Sequence, residues 1–538
     1  MTELALILQD HFAEFLGAYM FLVLVALMFS GIPVAYALGG TAVMFGMLGV
    51  MLDLLPPAGQ FLPLNRIWGG GGIDGTGIVH NYALVVIPCF LFMGTMLEKS
   101  RVAEELLHIL QVMLRRLPGV LALSVALMGT IMAATTGIAG ASVVMMTLMA
   151  LPTMLGRGYS PSLATGTIAA SATLGILIPP SMILVILAFM LALPAGSMFL
   201  GAVLPGLTLS GLYLLYIFAA ASIRPSIAPP LPKEDVQLDP QGLAGLVRTV
   251  VVLGAIVTAM ILGPGWSADV NWNFIGFFAI FLASMILGRM EGNTLLGGIL
   301  RGFVPPVFLI GMVIGSIFAG WATITEAAGV GAFGALMLAV VKGTSTRKVI
   351  TDTVHRTALS NAMYFFIFAG AIAYSTIFRL ANGEELIRGF IEWLDFGPWG
   401  FLFLLMGVIF VMGFFFDFLE ITLIIMPVFS PVVRGLAPEF APHLGVDVPE
   451  NAVQLKILQD QVMYWFAILV ATNLQTSFLT PPFGFSLFYM KGVAPASIKM
   501  QDIYRGVAPF VVLQLIGLGL VLAFPALALW LPGMVIGW

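Results

Sequence analysis

Apolar runs of about twenty residues, long enough to cross the hydrocarbon core of a bilayer as a helix, recur from one end of this chain to the other. Full crossings are expected near 17–34, 36–54, 78–97, 163–203, 204–223, 249–264, 273–288, 302–320, 322–341, 358–379, 463–497 and 507–530. Two more apolar segments, 118–156 and 397–435, are interrupted at their middles by small or polar residues. They read as re-entrant hairpins that enter and leave on one side. Backbone facing lipid must satisfy its own hydrogen bonds, so this pattern specifies an all-α polytopic membrane protein. Composition closes the alternatives: 60% of the 538 residues are hydrophobic and 9% are charged, too few charges to cover a water-soluble surface. A soluble enzyme and a disordered chain are excluded on that ground, and a net charge of −4 leaves no basic footprint for nucleic acid. The single cysteine, Cys89, excludes a disulfide framework and a cysteine metal cluster. The five histidines have no ligand spacing, and no GK[ST] follows the Gly69–Gly72 run. Energy for any transport is therefore expected from an ion gradient or from simple diffusion.

The charges orient the chain. No basic region precedes the first apolar run, and Arg66 is the first Lys or Arg, so no signal peptide is expected. With the N-terminus outside and both hairpins re-entrant, 17 of the 22 Lys and Arg fall in inside loops. Only Arg66, Arg379, Arg388, Arg434 and Lys456 fall outside. The positive-inside rule favours that orientation, and reading either hairpin as a full crossing breaks the alternation. The proline- and charge-rich stretch 224–248 reads as a cytoplasmic linker, and 436–462 as an outside polar excursion.

An internal duplication carries the functional reading. The first half holds VAEELLHIL, a hairpin and GILIPPSMILV; the second holds NGEELIRGFI, a hairpin and SFLTPPFGFSL. The threading puts the first EEL segment inside and the second outside, so the halves are inverted. Inverted repeats with broken helices are the build of secondary transporters, with the site near the midplane. Pro179-Pro180 and Pro481-Pro482 cannot donate to the helix ladder and leave carbonyls of the preceding turn unpaired. At membrane depth such carbonyls need a partner, and a dehydrated Na⁺ is one. Ser171 and Thr173 lie upstream of the first break, and Asn473, Gln475, Thr476 and Ser477 upstream of the second. The plain alternative is a proline kink filled by a neighbouring helix. Tip one, Thr135–Ser142, has glycines for a tight reversal; close helix packing is its plain alternative. Tip two carries Asp417 and Glu420 at i,i+3. They are read either as coupling-ion or proton groups, or as a cap of the second hairpin. Glu326, after Thr323 and Thr325, is read as part of a capped helix start. Segments 99–116 and 381–395 read as amphipathic helices along the interface.

The stretches GYSPSLATGTIAASATLGILIPPSMILV, PVAYALGGTA, ATITEAAGVGAFGALMLA and NLQTSFLTPPFGFSLFYMKGVAP resemble the large membrane subunit of tripartite ATP-independent periplasmic (TRAP) transporters. The resemblance runs from about residue 20 to 530. It implies a non-enzymatic, Na⁺-driven import of organic acid anions, C4-dicarboxylates or 2-oxo or 2-hydroxy monocarboxylates, across a bacterial inner membrane. It implies an elevator mechanism and two partners, a periplasmic substrate-binding protein and a separate small four-helix membrane subunit. Carried over, the first Na⁺ site uses Gly137, Gly140, Ser142, Ser171, Thr173, Ile178 and Pro179. The second uses Asp417, Thr422, Asn473, Thr476, Ser477 and Thr480.

The organisation then expected starts with scaffold 1–97, arm helix 98–117 and transport domain 118–203. Connecting spans 204–300, second scaffold 301–380 and second arm 381–396 follow. Transport domain 397–497 and a final span 498–538 complete it. A stand-alone Na⁺-coupled carboxylate carrier of the same build is the alternative. An intramembrane enzyme or a channel is the more distant one, and no nucleophile–base or metal constellation at depth supports the enzyme.

Overall fold

A computed structural model describes residues 15–69, 78–136, 139–230, 248, 251–252, 254–255, 270–292, 294–448, 450–481 and 484–536. Within these residues the chain is helical with no strand, and nine helices are long and apolar enough to cross a membrane. Most of the expected crossing at 249–264 and most of the linker 224–248 lie outside the described residues.

The first half opens with α1 (Leu16–Phe29), α2 (Val34–Met51), the short α3 (Leu62–Trp68), α4 (Val86–Lys99) and the arm α5 (Val102–Met113). The first hairpin is α6 (Val120–Thr136) and α7 (Ala139–Gly156). The first broken helix is α8 (Pro161–Thr173), a 3₁₀ turn at Leu174–Ile176, the prolines, and α9 (Met182–Leu191). Then come α10 (Ala195–Ile223), α11 (Val270–Met290) and α12 (Leu295–Phe318), the last containing a π turn at Ile299–Phe303. The second half repeats the order: α13 (Ile324–Val341), α14 (Arg347–Leu380), the arm α15 (Gly383–Leu394), and the hairpin α16 (Gly397–Met412) and α17 (Phe418–Gly435). A short α18 (Ala437–Leu444) leads to the broken helix α19 (Ala452–Leu479) and α20 (Phe485–Val493), then α21 (Met500–Ala523) and α22 (Ala526–Ile536).

Local chemistry sets the ends. Ser160 accepts a bond from the Leu163 amide at 3.2 Å with Pro161 at the first helical position, the preferred start of a helix. Glu326 and Thr323 form a reciprocal capping box on α13, as the sequence suggested. Four boundaries depart from the sequence reading. The crossings expected at 163–203 and 204–223 meet at 192–194, not at 203, because α9 ends at Leu191 with Ala192 in the left-handed region and Pro194 precedes α10, which runs unbroken from Ala195. Helix α14 starts at Arg347 rather than near 358, because Thr346 caps it and Asp352 pairs with Lys99 and Arg356 along a polar first stretch. Helix α19 starts at Ala452 rather than near 463, capped by the Asn451 side chain. The final apolar stretch divides before Pro525 into α21 and α22.

Two packed bodies result. In one, α2 and α4 pack on α14, α13 packs on the far side of α4 and on α12, and α1 lies beside α2. In the other, each hairpin packs on the broken helix of its own half, α6 and α7 on α8, α16 and α17 on α19. Each also reaches the other half: α7 packs on α20, and α17 on α9. Helices α10 and α21 lie against this second body. Gly166 and Gly506 allow backbone contact there, since a methyl on Gly166 would stand 2.1 Å from the Gly506 carbonyl oxygen.

Candidate functional site

The site is built from the two breaks and the hairpin that faces each one. Pro179 and Pro180 remove the amide donors that an α-helix would aim at the Gly175 and Ile176 carbonyls. The Ser181 hydroxyl takes the second of these, donating to the Ile176 oxygen at 2.5 Å; the Gly175 carbonyl keeps no donor from its own helix. Ile178 is pressed from behind by α10, where a methyl on Gly206 would stand 2.9 Å from its side chain. Ser171 faces the hairpin, and a methyl on Gly129 of α6 would stand 2.5 Å from its Cβ. Only a glycine there lets the two helices close.

In the second half Asn473 donates from Nδ2 to the Met406 carbonyl of α16 at 2.7 Å. Gly413, at the end of α16, meets Ser477 in the way that Gly129 meets Ser171. The Phe418 and Phe478 rings, 5.5 Å apart, bring the start of α17 onto the break. Gly484 lies against the Phe478 carbonyl, with 2.6 Å left for a methyl.

The hydroxyls share one property. Ser171 donates to Thr167 O (2.6 Å), Thr173 to Ala170 O (2.8 Å) and Thr422 to Phe418 O (2.7 Å). Thr476 donates to Asn473 O (2.6 Å), Ser477 to Leu474 O (2.5 Å) and Thr480 to Thr476 O (2.5 Å). Each hydrogen is used within its own helix, so each oxygen offers only lone pairs outward. Asn473 has its amide nitrogen tied to α16 and its buried Oδ1 without a donor. Both side-chain polar atoms of Gln475 are also buried and unpartnered. The hydroxyl oxygens and Asn473 Oδ1 are acceptors that satisfy a small cation and repel an anion, which fits Na⁺, whereas the buried Gln475 Nε2 is a donor and does not belong to that set.

The tips differ. Gly140, at the start of α7, stands against the Tyr489 ring of α20, 2.9 Å from where a methyl would sit. Ser142 is buried on the same helix, which packs along α8 and the 3₁₀ turn. Gly137 lies outside the described residues. At tip two, Asp417 accepts from the Phe418 amide at 2.8 Å while Glu420 accepts from the Asp417 amide at 3.1 Å. Of the two readings of these acids, the geometry is that of a helix cap. Sequence reasoning missed Gly129, Gly413, the Met406 carbonyl, and Gln514, which donates to Gln475 O at 3.4 Å. Gln514, a polar side chain in the apolar stretch of α21 after Arg505, was a readable signal; two glycines among 60 were not.

Comparison with known proteins adds a lineage. The family described as "Tripartite ATP-independent periplasmic transporter, DctM component" matches residues 21–527. The C4-dicarboxylate TRAP transporter large permease protein DctM of Vibrio cholerae is 25% identical over 527 residues, 97% of this chain and 98% of that protein. The ectoine/5-hydroxyectoine TRAP transporter large permease protein UehC of Ruegeria pomeroyi is 25% identical over 96% of this chain and 98% of its own. The sialic acid TRAP transporter large permease protein SiaM of Vibrio cholerae is 23% identical over 95% and 97%.

Proposed function

The chain belongs to the DctM component family of tripartite ATP-independent periplasmic transporters, and from that premise we propose that it carries organic acid anions inward across a bacterial inner membrane with Na⁺ as the coupling ion. The family is one of transporters, not enzymes. The observation that carries the Na⁺ reading is a set of oxygens with free lone pairs: hydroxyls whose hydrogens are turned into their own helices, and the unpartnered Asn473 Oδ1, at two breaks related by inversion. Gly140, Ser142, Ser171, Thr173, Ile178 and Pro179 form the first ion site, with Gly137 at its tip. Thr422, Asn473, Thr476, Ser477 and Thr480 form the second, with Asp417 capping the helix that closes it.

The hairpins and broken helices move as one body, since each hairpin packs on both breaks. Their elevator-like shift past α2, α4, α13 and α14 exposes the site to each side in turn. The N-terminus faces the periplasm, where a substrate-binding protein delivers the anion; a separate small four-helix subunit braces the stationary body. Relatives named for C4-dicarboxylates, ectoine and sialic acid support a carboxylate-bearing cargo. The test is uptake by the assembled complex in proteoliposomes. Transport is expected with an inward Na⁺ gradient and lost when K⁺ replaces Na⁺. Uptake that follows a proton gradient alone overturns the Na⁺ assignment.

A further inference from the structure

A cavity of about 560 Å³ lies between the two bodies, lined by none of the residues of the two ion sites, on the side that the charge count assigns to the periplasm. Its two walls differ in chemistry. The stationary body supplies every polar side chain, Arg66 of α3, Asn81, and Ser375, Thr376 and Arg379 of α14, set among apolar residues such as Leu84 and Ile324. The other wall is apolar and comes from the hairpin body, where Ala188 and Phe189 of α9 and Pro427 of α17 face the cavity.

The stationary wall is also electropositive. Arg379 pairs with Glu384 at 3.1 Å. Among the described residues no carboxylate answers Arg66. Glu326, on the helix whose Ile324 lines the cavity, is held by Thr323 in its capping box. Two guanidinium groups therefore share one cavity with one nearby carboxylate. Burial, and after it the Arg379 charge, pull Arg66 below the usual arginine range, which marks the two as electrostatic neighbours. A concave, low-dielectric recess of one sign concentrates the opposite ion, and a guanidinium fork matches a carboxylate or sulfonate.

We propose that this cavity is a hand-over station for the organic anion, in which Arg66 and Arg379 of the stationary body hold its acid group before the hairpin body takes it. The proposal rests on the organic-anion reading above and adds where the anion waits and which residues hold it. A station must release its cargo to the moving part. The distribution fits: every charged contact belongs to the wall that stays, and the wall that moves offers only apolar surface.

The test needs no Na⁺ and no turnover. Cys89→Ala removes the native thiol, and Ala83→Cys places a reporter on the exposed stationary rim of the cavity. The full chain with its partner subunit, in lipid nanodiscs and K⁺ buffer, is labelled with an anionic sulfonatoethyl methanethiosulfonate or with a cationic trimethylammonium analogue. Arg66→Gln and Arg379→Gln are each expected to lower the anionic-to-cationic rate ratio by about tenfold, the lower end of electrostatic focusing. Succinate, pyruvate or isethionate is expected to slow labelling saturably beyond KCl of equal ionic strength. That protection should vanish in both Gln variants. Arg66→Lys and Arg379→Lys keep charge but lose the fork; they should retain the rate ratio and lose the protection, and they carry the test if a Gln variant does not fold. A ratio unmoved by both Gln variants, or labelling that no organic anion slows beyond KCl, overturns the proposal. Failure of Na⁺ coupling alone leaves every one of these readouts unchanged.

Discussion

The two halves of the hairpin body place contacts at the same positions and fill them with different chemistry. Eight residues before the first proline of each break stand Ser171 and Asn473. Each meets the residue nine positions beyond the start of its hairpin helix, Gly129 and Met406 respectively. Ser171 uses its hydrogen on its own helix and relies on a bare glycine for approach; Asn473 reaches across and bonds to backbone. Thirteen residues before the prolines, Gly166 lies on Gly506 of α21, and Ile468 lies near Gly201 of α10. Inverted duplication has kept where helices touch while letting the touching groups change. At these two positions the first half relies on small-residue closeness and the second on a hydrogen bond and a larger side chain, although one turn on from Asn473 the Gly413 and Ser477 pair repeats the close contact.

The largest effect should come from the closest glycine contact. Gly166→Ala puts a methyl 2.1 Å from backbone that cannot yield, at a cost of about 3 kcal/mol. Loss of monodisperse protein or a sharp drop in Tm is expected. Gly201→Ala, with 2.9 Å to the Ala528 carbonyl, should cost less. Equal Tm for both would break the comparison.

Asn473→Ala comes next. It removes a bond to Met406 and an unpartnered acceptor, and about 1–3 kcal/mol is at stake. The Na⁺ concentration for half-maximal uptake should rise about tenfold to a hundredfold. Ser171→Ala removes one acceptor and no inter-helix bond, so its shift should be smaller, about fivefold for 1 kcal/mol. Both proteins should reach the membrane normally. A larger shift for Ser171→Ala would reverse the assignment of weight between the halves.

Asp417→Ala removes the cap of α17 and should lower stability by about 1 kcal/mol, with the Na⁺ response preserved at saturating Na⁺. A complete loss of coupling in a well-folded protein would return Asp417 to an ion or proton role. The smallest effects belong to the arms. Glu384→Gln breaks a largely exposed pair with Arg379 and should change Tm little, since such pairs contribute about 0–1 kcal/mol. Glu105→Gln should cost more, because it strips its partner from Lys342, whose side chain is only 7% exposed.

Much of this was legible without coordinates. Repeated EEL segments, paired prolines and the apolar runs lead to helices, breaks and inversion, and the oxygen-bearing residues upstream of each break are buried with their hydroxyl hydrogens bonded within their own helices. Less legible was which reading of an ambiguous group would hold. Asp417 and Glu420 at i,i+3 suit a buried pair or a capping box equally, and only the observed amide bonds separate them. The early start of α14 was hidden because RKVITDTVHR is polar, and hydropathy sees a span while helix continuity depends on caps and ion pairs.

The sequence by itself determined the helical build, the two breaks and the oxygen-bearing residues upstream of them. These follow from local physics: bilayer thickness sets helix length, and proline lacks an amide hydrogen wherever it stands. Only the tertiary structure decided that Gly129 faces Ser171, that Asn473 bonds to Met406, and that Arg66 and Arg379 share one cavity although they lie hundreds of residues apart. Among helices that are apolar on every side, no hydrophobic pattern tells which face meets which partner. That choice rests on shape and on a few polar contacts between distant segments.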